Sequence, residues 1–293
     1  MELRQFKYLI SIAEEGTFTA AAEKLYISQS ALSQQVKSME SELGVPLFDR
    51  SRNRLQFTDA GELLHKRAMR IVKEVDEAKT AIDELEQLYR GTLRIGVVQT
   101  VNAYLIPPVV SSFSAEFPNI QLRIHELSAT EVEEKLYRHE LDLGISFKPA
   151  DYPELQFEQL FEEELLLIVN PTHALAGKEW IKVKSLDKQK LMLLSEDYCT
   201  RRIWNRCAIE AGAKPDVHIE MNTIGGLLSA LETNTIAGTI LPALTMRMKA
   251  AEKLKSVALK KPTPRRLVGV LWRGGGYKSK AALEFSDFLK KTL

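Results

Sequence analysis

Residues Phe18 to Leu43 read Phe-Thr-Ala-Ala-Ala-Glu-Lys-Leu-Tyr-Ile-Ser-Gln-Ser-Ala-Leu-Ser-Gln-Gln-Val-Lys-Ser-Met-Glu-Ser-Glu-Leu. Leu32, Val36, Met39 and Leu43 recur at helical spacing, and Ser28 stands where an N-cap is needed for a helix starting at Gln29. That apolar stripe should face inward. The opposite face carries Gln29, Ser30, Ser33, Gln34 and Lys37, short polar side chains and one cation that suit a helix lying in a DNA major groove. Upstream, Phe18 to Leu25 predicts a second short helix in which Ala20, Ala21 and Ala22 permit close approach, with Tyr26-Ile27-Ser28 as the turn. This is helix-turn-helix grammar, although an amphipathic helix pair with a solvated polar face has the same periodicity.

Working outward, Leu3, Phe6, Leu9, Ile10 and Ala13 predict a first helix ending near Gly16 that completes a three-helix core. Leu47-Phe48 and Leu55-Gln56-Phe57 read as two short strands around Asp49-Arg50-Ser51-Arg52-Asn53-Arg54. Three arginines at a hairpin tip can meet phosphates or a narrow minor groove with salt-sensitive affinity, the alternative being a solvated loop. From Thr58, a plausible N-cap, a proline-free segment runs to Tyr89 with Leu64, Ala68, Ile71, Val75, Ala78, Ile82, Leu85 and Tyr89 in a heptad seam. A seam of that kind needs a partner. Within a ninety-residue module nothing else would bury it, so a second copy of the chain is the expected partner and implies a dyad DNA site; packing on the chain's own effector domain is the alternative.

The quoted stretch, with Gly44-Val45-Pro46-Leu47-Phe48-Asp49-Arg50 and Leu55-Gln56-Phe57-Thr58-Asp59-Ala60-Gly61, resembles the N-terminal domain of LysR-type bacterial transcriptional regulators. The resemblance implies an all-α winged helix-turn-helix over residues 1–57, a linker helix for dimerisation over 58–90 and an effector-binding domain over 91–293. It assigns DNA contacts to Gln29, Ser30, Ser33, Gln34, Lys37, Arg50, Arg52 and Arg54. Double-stranded promoter DNA, a small-molecule effector and further copies of the chain, as dimer or tetramer, are the implied partners, with RNA polymerase a further candidate.

Composition fits this reading without demanding it. The 293 residues are 45% hydrophobic and 27% charged, enough for more than one ordinary soluble domain. The net charge of +1 does not announce a nucleic-acid binder, so the case rests on local clustering. No apolar run approaches the roughly 20 residues that span a bilayer, and no signal peptide opens the chain, so a cytoplasmic protein without membrane association is expected.

After Arg90-Gly91-Thr92 the texture becomes an α/β alternation. Strands are expected at 93–98, 120–127, 141–147, 165–169, 191–194, 217–220, 239–241 and 266–272. Helices are expected from the first strand to about Phe117, at 131–139, 201–211 and 224–231, and at the closing 280–291. That order resembles the family's two-lobed effector domain, similar in fold to type 2 periplasmic binding proteins. Lobe I would hold about 91–161 and 266–293, and lobe II about 162–265, with the chain crossing twice. Ligands in open α/β sheets sit at the carboxyl ends of strands, which singles out Gln99, Thr100, Asn102, Ser128, Thr130, Phe147, Lys148, Thr200, Arg201, Asn222 and Thr223. Hydroxyls and helix N-termini would suit a small anion or carboxylate, with Arg201 or Lys148 as charge partner; any single hydroxyl is more readily a helix cap, and only their convergence argues for a site. Thr100 leads the set, because the family places an effector-binding hydroxyl after its first strand. The runs Leu193-Leu194-Ser195-Glu196, Thr200-Arg201 and Glu220-Met221-Asn222-Thr223-Ile224 look closest to the cyanate-responsive regulators.

Other functions have less support in the residues. Cys199 and Cys207 fall in the region where the peroxide-sensing branch of the same family places a cysteine pair, so a thiol or peroxide sensor using Cys199 is the alternative. Cys207 stands one residue short of the expected partner, and eight residues of helix span about 12 Å, too far for a disulfide without unwinding. The five histidines show no metal-ligand spacing, and there is no nucleophile elbow or P-loop, so neither an enzyme nor a cofactor is expected. A stand-alone solute-binding protein would leave residues 1–90 without purpose.

Overall fold

The structure is a computed structural model of the chain and describes residues 1–49, 55–85, 90–149 and 152–293. The chain forms two compact units, Met1–Tyr89 with Arg138–Glu140, and Arg90–Tyr137 with Leu141–Leu293.

The first unit is built from α1 (Leu3–Glu15), α2 (Phe18–Lys24) and α3 (Gln29–Leu43). Thr17 and Ser28 cap the second and third helices by accepting the Ala20 and Ala31 amides at 3.1 and 3.2 Å. Gly44, at φ 71°, ends α3 in the left-handed region that glycine adopts without penalty. Leu9, Ile12, Leu32, Val36 and Met39 are fully buried between the helices, whereas Leu43, expected in that stripe, is 37% exposed on the last turn. Strands β1 (Phe48–Asp49) and β2 (Gln56–Phe57) pair antiparallel, with the Phe48 and Phe57 rings stacked at 4.8 Å. The tip between them, with Arg50, Arg52 and Arg54, lies outside the described residues.

Helix α4 (Asp59–Leu85) follows, and Thr58 is the cap the sequence predicts: its Oγ1 accepts the Gly61 amide at 3.1 Å and donates to the Pro46 carbonyl at 2.7 Å. The heptad seam divides. Ala68 is buried in the unit's own core, with Leu64 and Val72 packed against it, because three short helices need a fourth wall to close. Farther along, Ile71 and Ile82 are 41% and 61% exposed, while Tyr89 lies outside the described residues. The expectation that the whole seam awaits an outside partner is therefore corrected for its first turns.

The second unit runs β3 (Gly91–Val98), α5 (Gln99–Asn102), α6 (Ile106–Glu116), β4 (Ile120–Leu127), α7 (Ala129–Tyr137), β5 (Leu143–Phe147) and β6 (Leu155–Val169). It continues with β7 (Trp180–Lys182), β8 (Lys190–Leu194), α8 (Cys199–Glu210), β9 (Asp216–Met221), α9 (Ile224–Thr233) and β10 (Gly238–Pro242). Strands β11 (Lys255–Lys260) and β12 (Arg265–Arg273) and helix α10 (Lys280–Thr292) close the chain. Strand order is β4-β3-β5-β12-β6-β10-β8-β9, with β11 beside β6 and β7. Pairs β3/β4, β3/β5, β8/β9 and β8/β10 are parallel, as the alternation predicts.

Strand β6 differs from the expectation and matters most. Only Leu165–Val169 reads as a strand in the sequence, because the preceding ten residues alternate with acidic side chains. In the structure β6 has 15 residues: its first part pairs antiparallel with β12, and Leu165 to Val169 pair with β10. One continuous strand thus passes from the lobe I core to the lobe II cores. Strands β7 and β11 go beyond the sequence reading, and the single helix expected after β3 is broken, with Pro107-Pro108 in the first turn of α6.

A Cβ on Gly61 would stand 2.0 Å from the Leu47 carbonyl oxygen and 2.7 Å from the Phe57 ring. Gly61→Ala must push the wing base off α4, so the first unit should lose about 1–3 kcal/mol in chemical denaturation; an unchanged midpoint would contradict that close approach.

Candidate functional site

Two surfaces collect the residues that the sequence singles out. On α3, Gln29, Ser30, Gln34 and Lys37 are exposed and Ser33 is half-buried, so one polar face lies opposite the buried stripe. Ser30 and Ser28 share a hydroxyl contact of 3.1 Å at the helix start. Tyr26, in the preceding turn at φ 56°, is 96% exposed.

The second surface lies between the lobes and is organised by Arg266. Its side chain is 1% exposed and stands directly across the ladder from Glu163, 4% exposed, where β12 and β6 leave lobe I. Arg266 Nε and Nη2 both donate to Glu163 Oε1, at 2.8 and 2.6 Å. Nη2 also donates to the Tyr104 hydroxyl at 3.0 Å, and that hydroxyl in turn donates to Glu163 Oε1 at 2.6 Å. Nη1 donates to Thr100 Oγ1 at 2.7 Å and to Thr200 Oγ1 at 3.0 Å. Thr100 opens α5 after the first strand of lobe I, and Thr200 lies in the first turn of α8 in lobe II. One guanidinium therefore joins the lobes. Burial opposes the charge on Arg266, but the charges around it outweigh that and raise it above its ordinary range, with Glu163 the hydrogen-bonded carboxylate among them. Burial also pushes the Tyr104 hydroxyl far above its ordinary range, so it stays a neutral donor.

Beside this seam lies a cavity of about 400 Å³, lined by Phe147, Lys148, Glu162, Cys199, Ile203, Arg265, Arg266 and Leu267. That is room for a small ligand. Phe147 stacks under the Arg266 guanidinium at 5.2 Å, and Lys148 is exposed with no ion pair among the described residues. Glu162 and Glu164 flank Arg265, at 3.9 and 2.8 Å. Burial raises the Cys199 thiol above the ordinary range, against the pull of Arg266, Arg202 and Arg206. Cys207 is raised too, by burial and then by Glu210. Both cysteines are free and belong to the same unbroken helix, α8.

Of the strand-end residues, Thr100, Thr200, Phe147 and Lys148 come together at this seam and cavity. Most of the others are bonded locally. Arg201 donates to the Leu194 carbonyl at 2.7 Å, to Asn205 at 3.0 Å and to Glu220 at 3.2 Å, with Glu196 at 3.6 Å, which leaves its charge committed within lobe II. Asn102 donates to Glu126 at 2.7 Å. Ser128 and Glu131 form a reciprocal cap on α7, and Thr223 caps α9 by accepting the Gly226 amide. The Asn222 carbonyl accepts the Tyr198 hydroxyl, Thr130 is exposed and Gln99 is half-buried.

Arg266, Glu163 and Tyr104 escape a search confined to strand ends. The signal that finds them is charge: Glu162-Glu163-Glu164 precede one apolar strand and Arg265-Arg266 begin another. Antiparallel crossing strands place those runs side by side. Among the described residues no group of His, Cys, Asp and Glu is arranged to hold a metal ion, and no helix is long and apolar enough to cross a membrane.

Arg266→Leu would leave Glu163 buried without its cation, and thermal unfolding should show a loss of about 3–5 kcal/mol. The same substitution removes a cation from beside Cys199, so the thiol's alkylation midpoint should move further up in pH. A midpoint that fell or stayed, with unfolding unaltered, would contradict the network.

Comparison with known proteins follows the same division. Residues 3–62 match the family described as "Bacterial regulatory helix-turn-helix protein, lysR family", and residues 86–293 match "LysR substrate binding domain". The chain is 30% identical over 279 residues to the DNA-binding transcriptional dual regulator OxyR of Escherichia coli K12, covering 94% of this chain and 90% of the relative. It is also 30% identical over 289 residues to a probable RuBisCO transcriptional regulator of Synechocystis, covering 97% and 84%. Among solved structures, a full-length OxyR variant from Pseudomonas aeruginosa superposes with a TM-score of 0.72 at 24% identity, covering 100% of this chain and 94% of that one. CbnR complexed with its target DNA gives 0.68 at 20%, covering 100% of both. These structural likenesses speak to the fold, and the two sequence families, matched in order along the chain, make it a member of the LysR family of DNA-binding transcriptional regulators rather than an enzyme.

Proposed function

We propose that this regulator works as a dimer or tetramer on dyad-symmetric promoter DNA and answers to a small anion or carboxylate held between the lobes of residues 91–293. The observation that carries the effector reading is the cavity of about 400 Å³ with Lys148 at its edge and Arg266 in its wall. In this reading Gln29, Ser30, Ser33, Gln34 and Lys37 face base edges and phosphates, while Arg50, Arg52 and Arg54 contribute salt-sensitive affinity. The exposed apolar residues Ile71 and Ile82 of α4 supply the dimer contact. CbnR was solved as a complex with its target DNA, and likeness of fold to that protein supports the DNA reading. Work on promoter DNA is done in the cytoplasm, with RNA polymerase as a further partner.

The effector is assigned by class. The resemblance to cyanate-responsive regulators agrees with a small anion, whereas the Escherichia coli relative and others are named for hydrogen peroxide or as OxyR. Cys199 in the cavity wall favours a second reading, in which its thiol senses oxidant directly. A disulfide to Cys207 is opposed by the rise of α8, about 12 Å over eight residues.

Duplexes selected from a random library, followed by anisotropy titrations over a salt series, test the DNA assignments. Gln34→Ala should relax base preference by about 1–3 kcal/mol at its position, and Arg52→Ala should weaken all duplexes alike and flatten the salt slope by about one. The reverse pattern would overturn these roles. Small anions that tighten or weaken duplex binding support the effector reading. Indifference to every anion, together with loss of one free thiol under mild peroxide, would favour the cysteine reading.

A further inference from the structure

The two threonines best placed to hold an effector are already engaged. Thr100 and Thr200 each accept from a single nitrogen of Arg266, and the remaining donors of that guanidinium go to Glu163 and Tyr104, so all five N–H positions are used. Glu163 is held as a bound carboxylate would be. Its Oε1 receives two donors from the Arg266 fork and one from Tyr104 of lobe I, and its Oε2 is met at 3.5 Å by the Leu244 amide of lobe II. The seat is closed on this side, since both side chains are almost fully buried. On the other side Arg266 forms part of the wall of the cavity that carries Lys148.

Resting on the reading that an anion in this cleft is the effector, we propose that Glu163 is a tethered internal ligand. Its carboxylate fills the anion seat between the lobes, and an external carboxylate entering the adjoining cavity acts by competing with Glu163 for Arg266. The resting chain is then self-liganded. Two observations support this over a plain structural ion pair. The pair lies where β6 and β12 cross from lobe to lobe and draws donors from both lobes, whereas a pair serving one lobe would not reach Thr200 or Leu244. Glu163 also meets the Arg266 fork with Oε1 alone, its Oε2 left to one 3.5 Å contact with the Leu244 amide, whereas a free carboxylate can set both oxygens on the fork.

Chemical rescue in the full-length chain tests the proposal. Glu163→Ala removes the internal carboxylate and leaves a space beside an ionised arginine. Formate or acetate, against chloride at equal ionic strength, should raise its melting temperature saturably, on the order of 5 °C. Wild type should respond less, because its own carboxylate competes, and Glu163→Ala combined with Arg266→Leu should not respond at all. If Glu163→Ala fails to fold, Glu163→Ser vacates the same seat while keeping a small polar group there, and should show the same formate dependence. Equal shifts in wild type and variant, or shifts that survive loss of Arg266, would overturn the proposal. Rescue reports the seat alone, whereas duplex affinity measured with and without formate reports the regulatory reading, so failure of one is distinguishable from failure of the other.

Discussion

A buried arginine cannot be left without a counter-charge, and in the second unit this constraint falls on Arg266. Taking a guanidinium and a carboxylate out of water costs several kcal/mol each, which only close geometry and further hydrogen bonds offset. Glu163, Tyr104, Thr100 and Thr200 supply that geometry from two crossing strands and two helix starts. Such a network adds little stability beyond what an apolar packing of the same volume would give. What it adds is specificity of arrangement: the lobes satisfy all five donors only in one relative placement, so a ligand that redirects the arginine changes which placement is favoured.

Strand β6 makes that coupling mechanical. Its first ten residues belong to the lobe I sheet and its last five to lobe II, and Glu163 sits just before the change of partner. Pro264 accepts the Leu165 amide at 2.9 Å, so the returning chain is tied to the outgoing one at the same level. Side chains that grip both lobes therefore lie where the backbone passes between them.

The DNA-reading module was legible because its grammar is local. Caps at Thr17 and Ser28, glycine at position 44 and a stripe of Leu32, Val36 and Met39 are decided within a few residues of one another. The stalk was legible in type but only partly in use, since Leu64 and Ala68 satisfy a core that the heptad rule does not see. In the effector half, the strand-end residues Thr100 and Thr200 meet at Nη1 of Arg266, whereas Ser128 and Thr223 cap helices and Arg201 is bonded within lobe II. Arg266 and Glu163 were hidden because their meeting depends on a register between strands about a hundred residues apart. Charge within the long acidic part of β6 also masked it as a strand.

The most direct measurement of whether one arginine sets the arrangement of the lobes is native-state hydrogen exchange on full-length wild type and Arg266→Lys, which keeps the charge but loses the fork. Faster exchange is expected at the Leu244 amide and in the first turns of α5 and α8, with β3 and β8 protected as before. Exchange that is unchanged at those three places, or that quickens uniformly through both lobes, would contradict the central role of Arg266.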